Sequence, residues 1–395
     1  MDHHILCINS GSSSMKFALY RIGVEEQLVA EGAVERIGLP GGRLWLKDGA
    51  GTRFTDRQRD FPDHGKAVKA MFTTAIEKYR LPKPDGVGHR LVHGGPEHIA
   101  PEIVNPDLNL TLRKLIPFAP LHLPGEIRGI DAVAKHYPGL SQVVCFDSAF
   151  HHCMPEIARR LPLPRSLWDE GIYRYGFHGL SYEYIVSFLG ERARGRLIIA
   201  HLGNGASMAA LLEGRSQETT MGFTPIGGFM MGTRSGDLDP GVLVYLVAEK
   251  GYDAPQLENL LNHRSGLMGV SGTTSDMKTL LEKRNSETHA AQAVEMFCYQ
   301  ARKAIGALTA VLGGLDSLVF TGGIGERAAP IRWMICRGLE FLGIRLDKVK
   351  NDTHAEIISS DDCRCIVRVV PTNEDLMIAR HTRRLLFPPG ETENS

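Results

Sequence analysis

The sequence predicts an α/β fold of two duplicated domains with a nucleotide cleft between them, and three stretches carry that expectation. The first surrounds Cys7–Tyr20: a buried strand (Ile5, Leu6, Ile8), a polar turn, and a second strand (Phe17, Leu19, Tyr20). Its turn holds Asn9, Gly11, Ser12, Ser13, Ser14 and Lys16, whose N–H groups, hydroxyls and ammonium suit a phosphate. Taken alone, this stretch reads as an ordinary Gly/Ser hairpin. A second copy, Leu197–Leu212, repeats strand, turn and strand around His201, Asn204, Gly205 and Ser207. A third junction, Leu318–Glu326, runs an apolar strand into Gly322-Gly323-Ile324-Gly325. The repetition, one of pattern rather than identity, favours phosphates held between two related halves.

Bulk properties bound the alternatives. A chain of 395 residues is long for one core. Lys+Arg and Asp+Glu both number 45, so no global basic field argues for nucleic acid or an anionic membrane. No apolar run approaches membrane-spanning length, and Met-Asp-His-His lacks the features of a signal peptide. Seven scattered cysteines, an odd number, fit a reducing compartment better than a disulfide framework. A cytoplasmic protein is expected.

The elements follow in order. Residues 27–37 and 43–54 alternate apolar and polar side chains as strands, with turns at Gly41-Gly42 and Asp48-Gly49. Residues 63–79 carry a helical apolar face, and 85–95 a strand opening into Gly94-Gly95. Residues 108–137 read as mixed helix broken at Pro117, Pro120 and Pro124, and 142–150 as a strand bearing Asp147. The proline-rich stretch 155–167 is the expected passage between domains, and Ser181 the expected cap of a helix reaching about Leu189. Pro240 opens a helix through Ala248, and further helices run to Leu312, interrupted at 265–275. A helix over 330–342, a strand over 365–370 and a basic last helix to Leu386 close the chain, with a frayed polar tail after Pro388. The first domain is placed at 1–150 plus 376–395, the second at 151–375.

Chemistry concentrates in a few motifs. Met231–Gly241 brackets Arg234, Asp237 and Asp239 with glycines that permit close backbone approach, while Arg234 can fork onto carboxylate or phosphate. A helix cap explains Asp239 but not the whole loop. Arg90 ends a strand beside glycines and reads either as a functional cation or as a surface ion pair. Zinc is disfavoured: His89/His93, His151/His152 and Cys363/Cys365 lack completed ligand sets.

Asn9–Lys16, Gly88–Gly95, Phe146–His151, Arg174–Gly179, His201–Ser207, Met231–Pro240, Thr321–Glu326 and Thr372–Glu374 occur in this order. Together, over nearly the whole chain, they resemble the acetokinase family of the actin, sugar-kinase and heat-shock-chaperone superfamily. The resemblance implies two actin-like (ribonuclease H-like) domains and a homodimer. It implies reversible ATP-dependent phosphorylation of acetate to acetyl phosphate and ADP, with Mg²⁺ or Mn²⁺. It assigns Arg90 and Arg234 to the carboxylate and the transferring phosphoryl group, and His178 to a hydrogen bond on that group. Asp147 and Glu374, with Asn9, would hold the metal. Ser12, Ser14 and Lys16 would support phosphate or metal, and Asn204 and Gly205 would line the phosphate path. Asp276 would contact the ribose, and Gly323, Ile324 and Arg327 the adenine end. Val92, Leu121, Phe177 and Pro225 would form a small apolar acyl pocket.

For Asp147 a buried partner of an arginine remains the competing role, for His178 a loop-orienting one, and for His201 a structural hydrogen bond as against a ligand contact. Closure of the cleft is expected to exclude water. Three departures from the family stand out: Leu123-Pro-Gly-Glu126 where Asn-Pro-x-Asn is usual, Arg327 where Asn is usual, and Leu180 and Tyr182 for Thr and His. A carboxylate thus replaces an amide near the acyl pocket, and a stacking, phosphate-pairing cation replaces an amide at the base. The rival readings are a kinase for propionate or another short acid, and a non-catalytic nucleotide sensor.

Overall fold

The computed structural model describes residues 1–388. Two compact units divide it: Met1–Phe150 rejoined from Asn373 onward, and His151–Thr372. The returning segment thus begins at Asn373 rather than 376, which takes Glu374 into the first unit; the tail expected beyond Pro388 lies outside the described residues.

The first unit opens with β1 (His3–Ser10) and β2 (Ser14–Ile22), then β3 (Glu26–Glu35), β4 (Arg43–Asp48) and β5 (Arg53–Gln58). Helix α1 (His64–Phe72) runs into a π-helical turn at Thr73–Lys78; β6 (Gly86–Leu91), β7 (Glu102–Ile103), α2 (Pro106–Lys114), α3 (Leu123–His136) and β8 (Gln142–Phe146) follow. The eight strands order as β5-β4-β3-β2-β1-β6-β8-β7. β1 runs antiparallel to β2, setting Asn9 opposite Lys16, and parallel to β6. Alternation along β1 sends Leu6 and Ile8 to a core shared with Ala67, Val68 and Met71 of α1. Burying such side chains contributes about 1.5–3 kcal/mol each. Cys7 faces the other way, its Sγ 3.0 Å from the Asp375 carbonyl at the start of the C-terminal helix Glu374–Leu386. That helix lies so close to β6 that a Cβ on Gly88 would stand 2.3 Å from Thr382 Oγ1 and 2.4 Å from Ile378 Cγ2.

Pro124 does not break the helical stretch. It occupies the first turn of α3, where its missing N–H has no intrahelical partner to lose.

The second unit carries α4 (Glu156–Arg159), α5 (Arg165–Asp169), α6 (Gly179–Leu189), β9 (Arg196–Leu202), β10 (Ala206–Leu212) and β11 (Arg215–Thr219). Then come α7 (Pro240–Lys250), α8 (Ala254–His263), α9 (Gly266–Ser271), α10 (Met277–Lys283), α11 (Thr288–Leu312), β12 (Ser317–Thr321) and α12 (Gly322–Arg327). α13 (Ala329–Cys336), α14 (Lys348–Asp352) and β13 (Ile366–Val369) complete it, and the C-terminal helix is α15. Its sheet orders β11-β10-β9-β12-β13, with β9 antiparallel to β10 and parallel to β12. The run β3-β2-β1-β6-β8 of the first unit has the same connectivity and sense, so the repeated turns belong to a repeated topology.

The stretch 155–167 is not a passage between units: it contains α4 and the start of α5 and lies wholly within the second. Nor does Ser181 cap α6. The helix starts at Gly179, and the Ser181 hydroxyl instead lies 2.8 Å from His201 Nδ1 and 2.9 Å from Thr372 Oγ1.

Candidate functional site

In the first unit, the β1–β2 turn closes through a bond from Gly11 N–H to the Ser14 carbonyl at 2.7 Å. Ser12 and Lys16 are exposed there; Asn9 and Ser14 are half-buried. α3 abuts this turn so closely that a Cβ on Gly125 would stand 2.6 Å from the Gly11 carbonyl oxygen, so only glycine fits. At the end of β6, Arg90 Nε donates to both Asp147 oxygens at 3.1 Å, and its Nη2 to Oδ2 at 2.6 Å. Arg90 Nη1 is 3.2 Å from Glu374 Oε2, supplied by the first turn of α15. Burial disfavours the guanidinium's charge, yet Asp147 and Glu374 outweigh it and raise its pKa. Beside them burial pushes Asp375 up to about 6; Glu374 adds to the rise, while Arg90 and Lys16 oppose it.

Val92 and Leu121 are half-buried at the end of β6 and ahead of α3. Val92 N–H donates to the Glu126 carboxyl at 3.1 and 3.3 Å. Burial pushes Glu126 up to about 8 against the opposing pull of that N–H and of Arg90.

In the second unit, His178 precedes α6 with φ 59°, a left-handed conformation that a residue with a Cβ seldom holds. Its Nδ1 is 2.8 Å from Ser207 Oγ, which lies 2.5 Å from the Tyr182 hydroxyl, and its ring stacks on His201 at 4.3 Å. These contacts fix the ring and leave Nε2 toward Gly205. A Cβ built on Gly205 would meet His178 Nε2 at 3.3 Å and Arg234 Nη1 at 3.4 Å. Two side-chain nitrogens therefore converge over a backbone that carries no side chain. Arg234 Nη1 also lies 3.3 Å from the carbonyl of buried Pro225, and Gly232 N–H donates to the Asn204 carbonyl at 2.9 Å. Phe177 is buried, its carbonyl 3.1 Å from His151 Nε2.

A groove of about 700 Å³ adjoins this cluster, lined by Gly203, Asn204, Asp276, Lys278, Gly323, Ile324 and Arg327 among others. The glycines at the strand junction, expected as a polar turn, begin α12 and present a helix N-terminus. Gly322, at φ +76°, could not carry a Cβ, which would stand 2.8 Å from the Leu202 carbonyl. Its N–H donates to Glu326 Oε1 at 2.9 Å, and the same oxygen accepts from Thr372 N–H at 3.1 Å. Asp276 caps α10 through Thr279 N–H and hydroxyl, which hold its carboxyl below the usual range.

The structure thus brings Arg90, Asp147 and Glu374 together in one unit, His178, Arg234 and Gly205 in the other, and Asn204, Asp276, Gly323, Ile324 and Arg327 around one groove. His201 supports rings and hydroxyls beside that groove and is absent from its lining. Sequence reasoning singled out Tyr182 as a departure beside His178 but gave no role to Ser207 behind that ring, or to Glu326. Lys278 was legible as the second residue of a helix beginning at the Asp276 cap.

Asp147 and Glu374 offer hard carboxylate oxygens on one guanidinium, a donor set that fits a magnesium ion retaining several waters. Among the described residues no group of three or more His, Cys, Asp or Glu side chains is placed to hold a metal by itself.

Comparison with known proteins gives a consistent result. The family model described as the acetokinase family matches residues 4–380. An acetate kinase of Rhodopseudomonas palustris is 45% identical over 399 residues, covering 98% of this chain and 99% of that protein. Among solved structures, the acetate kinase of Porphyromonas gingivalis aligns with a TM-score of 0.89 at 38% identity, over 97% of this chain and all of that one. A propionate kinase from Francisella tularensis aligns with a TM-score of 0.91 at 34% identity, over 97% and 99%.

Proposed function

The chain belongs to the acetokinase family, and from that premise we propose that it transfers the γ-phosphoryl group of ATP to acetate, reversibly, giving acetyl phosphate and ADP. The observation that carries the proposal is the convergence of His178 Nε2 and Arg234 Nη1 over Gly205, next to a groove of nucleotide size.

Acetate, with a pKa near ~4–5, is already ionised at neutral pH and needs no general base. The barrier is the approach of an anion to a polyanionic tail, so positioning and charge stabilisation dominate. Arg90, with Arg234, flanks the carboxylate and the phosphoryl group, and His178 hydrogen-bonds that group in flight. Val92, Leu121, Phe177 and Pro225 enclose the methyl group. Asn204 and Gly205 line the phosphate path, Asp276 meets the ribose, and Gly323, Ile324 and Arg327 the base. Ser12, Ser14 and Lys16 support the phosphate or its cation. Asp147, Glu374 and Asn9 would hold Mg²⁺, directly or through water, and the ion would supply positive charge that offsets the phosphate tail. ATP as co-substrate and cysteines that are all free thiols fit a cytoplasmic setting.

The second reading is a kinase for propionate, favoured by the likeness to the Francisella enzyme. Hydroxylamine trapping of the acyl phosphate across formate, acetate, propionate and butyrate decides. The proposal expects the highest kcat/KM with acetate; a higher value with propionate transfers the mechanism to the second reading. No trapped product from a folded, ATP-binding protein would falsify both and favour a sensor.

We further propose that the protein is a homodimer. α7 is rich in apolar residues, yet none of its side chains is buried: Val244 is 67% and Tyr245 52% exposed.

A further inference from the structure

Glu126 is a buried acid that the reaction above leaves unused. It stands in the first turn of α3, 3% exposed, with Leu123, Ile127 and Ile130 among the buried residues of that helix. Its two oxygens share a single donor, Val92 N–H, at 3.1 and 3.3 Å. Arg90 and Asp147 are its charged neighbours. A carboxyl group, even when protonated, keeps acceptor lone pairs beyond those that one bifurcated N–H occupies, and burial keeps bulk water from filling them. The residue is also bonded to Val92, which the proposed function places against the acyl group.

We propose that Glu126 is a specificity-determining residue of the acyl pocket, its carboxyl reading a hydroxyl on the carbon next to the substrate carboxylate. The acids accepted then include short 2-hydroxy acids such as glycolate. This inference rests on the carboxylate-kinase reading. The transfer step itself is unchanged: a carboxylate oxygen bonds to the γ-phosphorus, the bond to the bridging oxygen breaks, and its electron pair leaves with ADP. The 2-hydroxyl does not react; it donates a hydrogen bond to Glu126. That carbon is bonded directly to the carboxylate held by Arg90, and Arg90 is itself a neighbour of Glu126. A buried acceptor discriminates between a substrate that donates to it and one that cannot more strongly than pocket size distinguishes one methylene.

The test measures kcat/KM for glycolate and acetate side by side with Mg·ATP in wild type, Glu126→Gln and Glu126→Leu. The glycolate-to-acetate ratio is expected to fall at least about tenfold in Glu126→Leu, and less in Glu126→Gln, which keeps one acceptor oxygen. Melting temperatures accompany each variant. If the leucine variant does not fold, the near-isosteric glutamine variant carries the comparison alone, and an unchanged ratio overturns the proposal. Equal losses for both acids also overturn it, assigning Glu126 to holding Val92 instead. A folded wild type that phosphorylates acetate but not glycolate sinks this inference alone; one that phosphorylates neither acid overturns the kinase reading and the inference with it.

Discussion

Arg234 and His178 are brought to one point by different means. Arg234 comes from a glycine-bracketed loop, and His178 from a left-handed residue whose ring is held by Ser207 and stacked on His201. Neither arginine nor imidazole has to reorganise at the moment of transfer if both are already over Gly205, which is the condition for electrostatic catalysis. Removing Arg234 should therefore act on the transition state rather than on nucleotide affinity. Arg234→Ala is expected to lower kcat by roughly 10²–10³-fold, with ATP affinity by calorimetry little changed. A matched loss in ATP affinity would instead make Arg234 a nucleotide ligand. Glu126 supplies a second prediction at this scale. Burial holds its proton to about pH 8 in the folded state, whereas an unfolded glutamate ionises near about 4.3. Between those values the folded protein binds more protons than the unfolded chain, so this group's contribution to stability declines as pH rises. Thermal melts from pH 5 to 8.5 should show a decline in wild type that Glu126→Gln flattens; parallel slopes would contradict the assignment.

The β12–α12 junction shows how an element is fixed by one missing side chain. Gly322 takes a positive φ directly against the Leu202 carbonyl, and α12 then points its first turn at the groove. Gly322→Ala should cost about 1–3 kcal/mol of stability through strain and contact and should weaken nucleotide binding. Unaltered melting and nucleotide affinity would refute the role. The same junction shows what sequence could and could not supply. The strand–turn–strand repeats were legible because alternation and glycine are local signals, and the motif around Arg234 was legible because residues 231–241 sit within one stretch. Ser181 was misread because a serine near a helix start is a common cap, while here the chain enters α6 at His178 and the hydroxyl is taken by His201 and Thr372. The bond between Arg90 and Asp147 spans 57 positions and that between Arg90 and Glu374 many more, distances at which no local pattern operates. The π-helical turn after Phe72 likewise left no periodic trace, since the apolar face of residues 63–79 suits an α-helix equally well.

At the scale of the whole molecule, two sheets with one connectivity account for the repeated turns, and most of the chain is explained by burying their faces. α7, the longest helix of the described residues to bury none of its side chains, stands apart. Replacing Val244 or Tyr245 by lysine should convert a dimer of twice 43.5 kDa into a monomer by sedimentation, without loss of the fold. A monomeric wild type would remove the homodimer from the account. One carboxylate oxygen has a different reach. Glu326 Oε1 holds the first amide of α12 and also the amide of Thr372, the last residue before the chain leaves the second unit. Two protons separated by fifty positions in the chain thus share one acceptor, and a movement of the Glu326 side chain releases both. Hydrogen exchange at Thr372 is therefore expected to keep time with that at Gly322, at the start of the helix beside the groove.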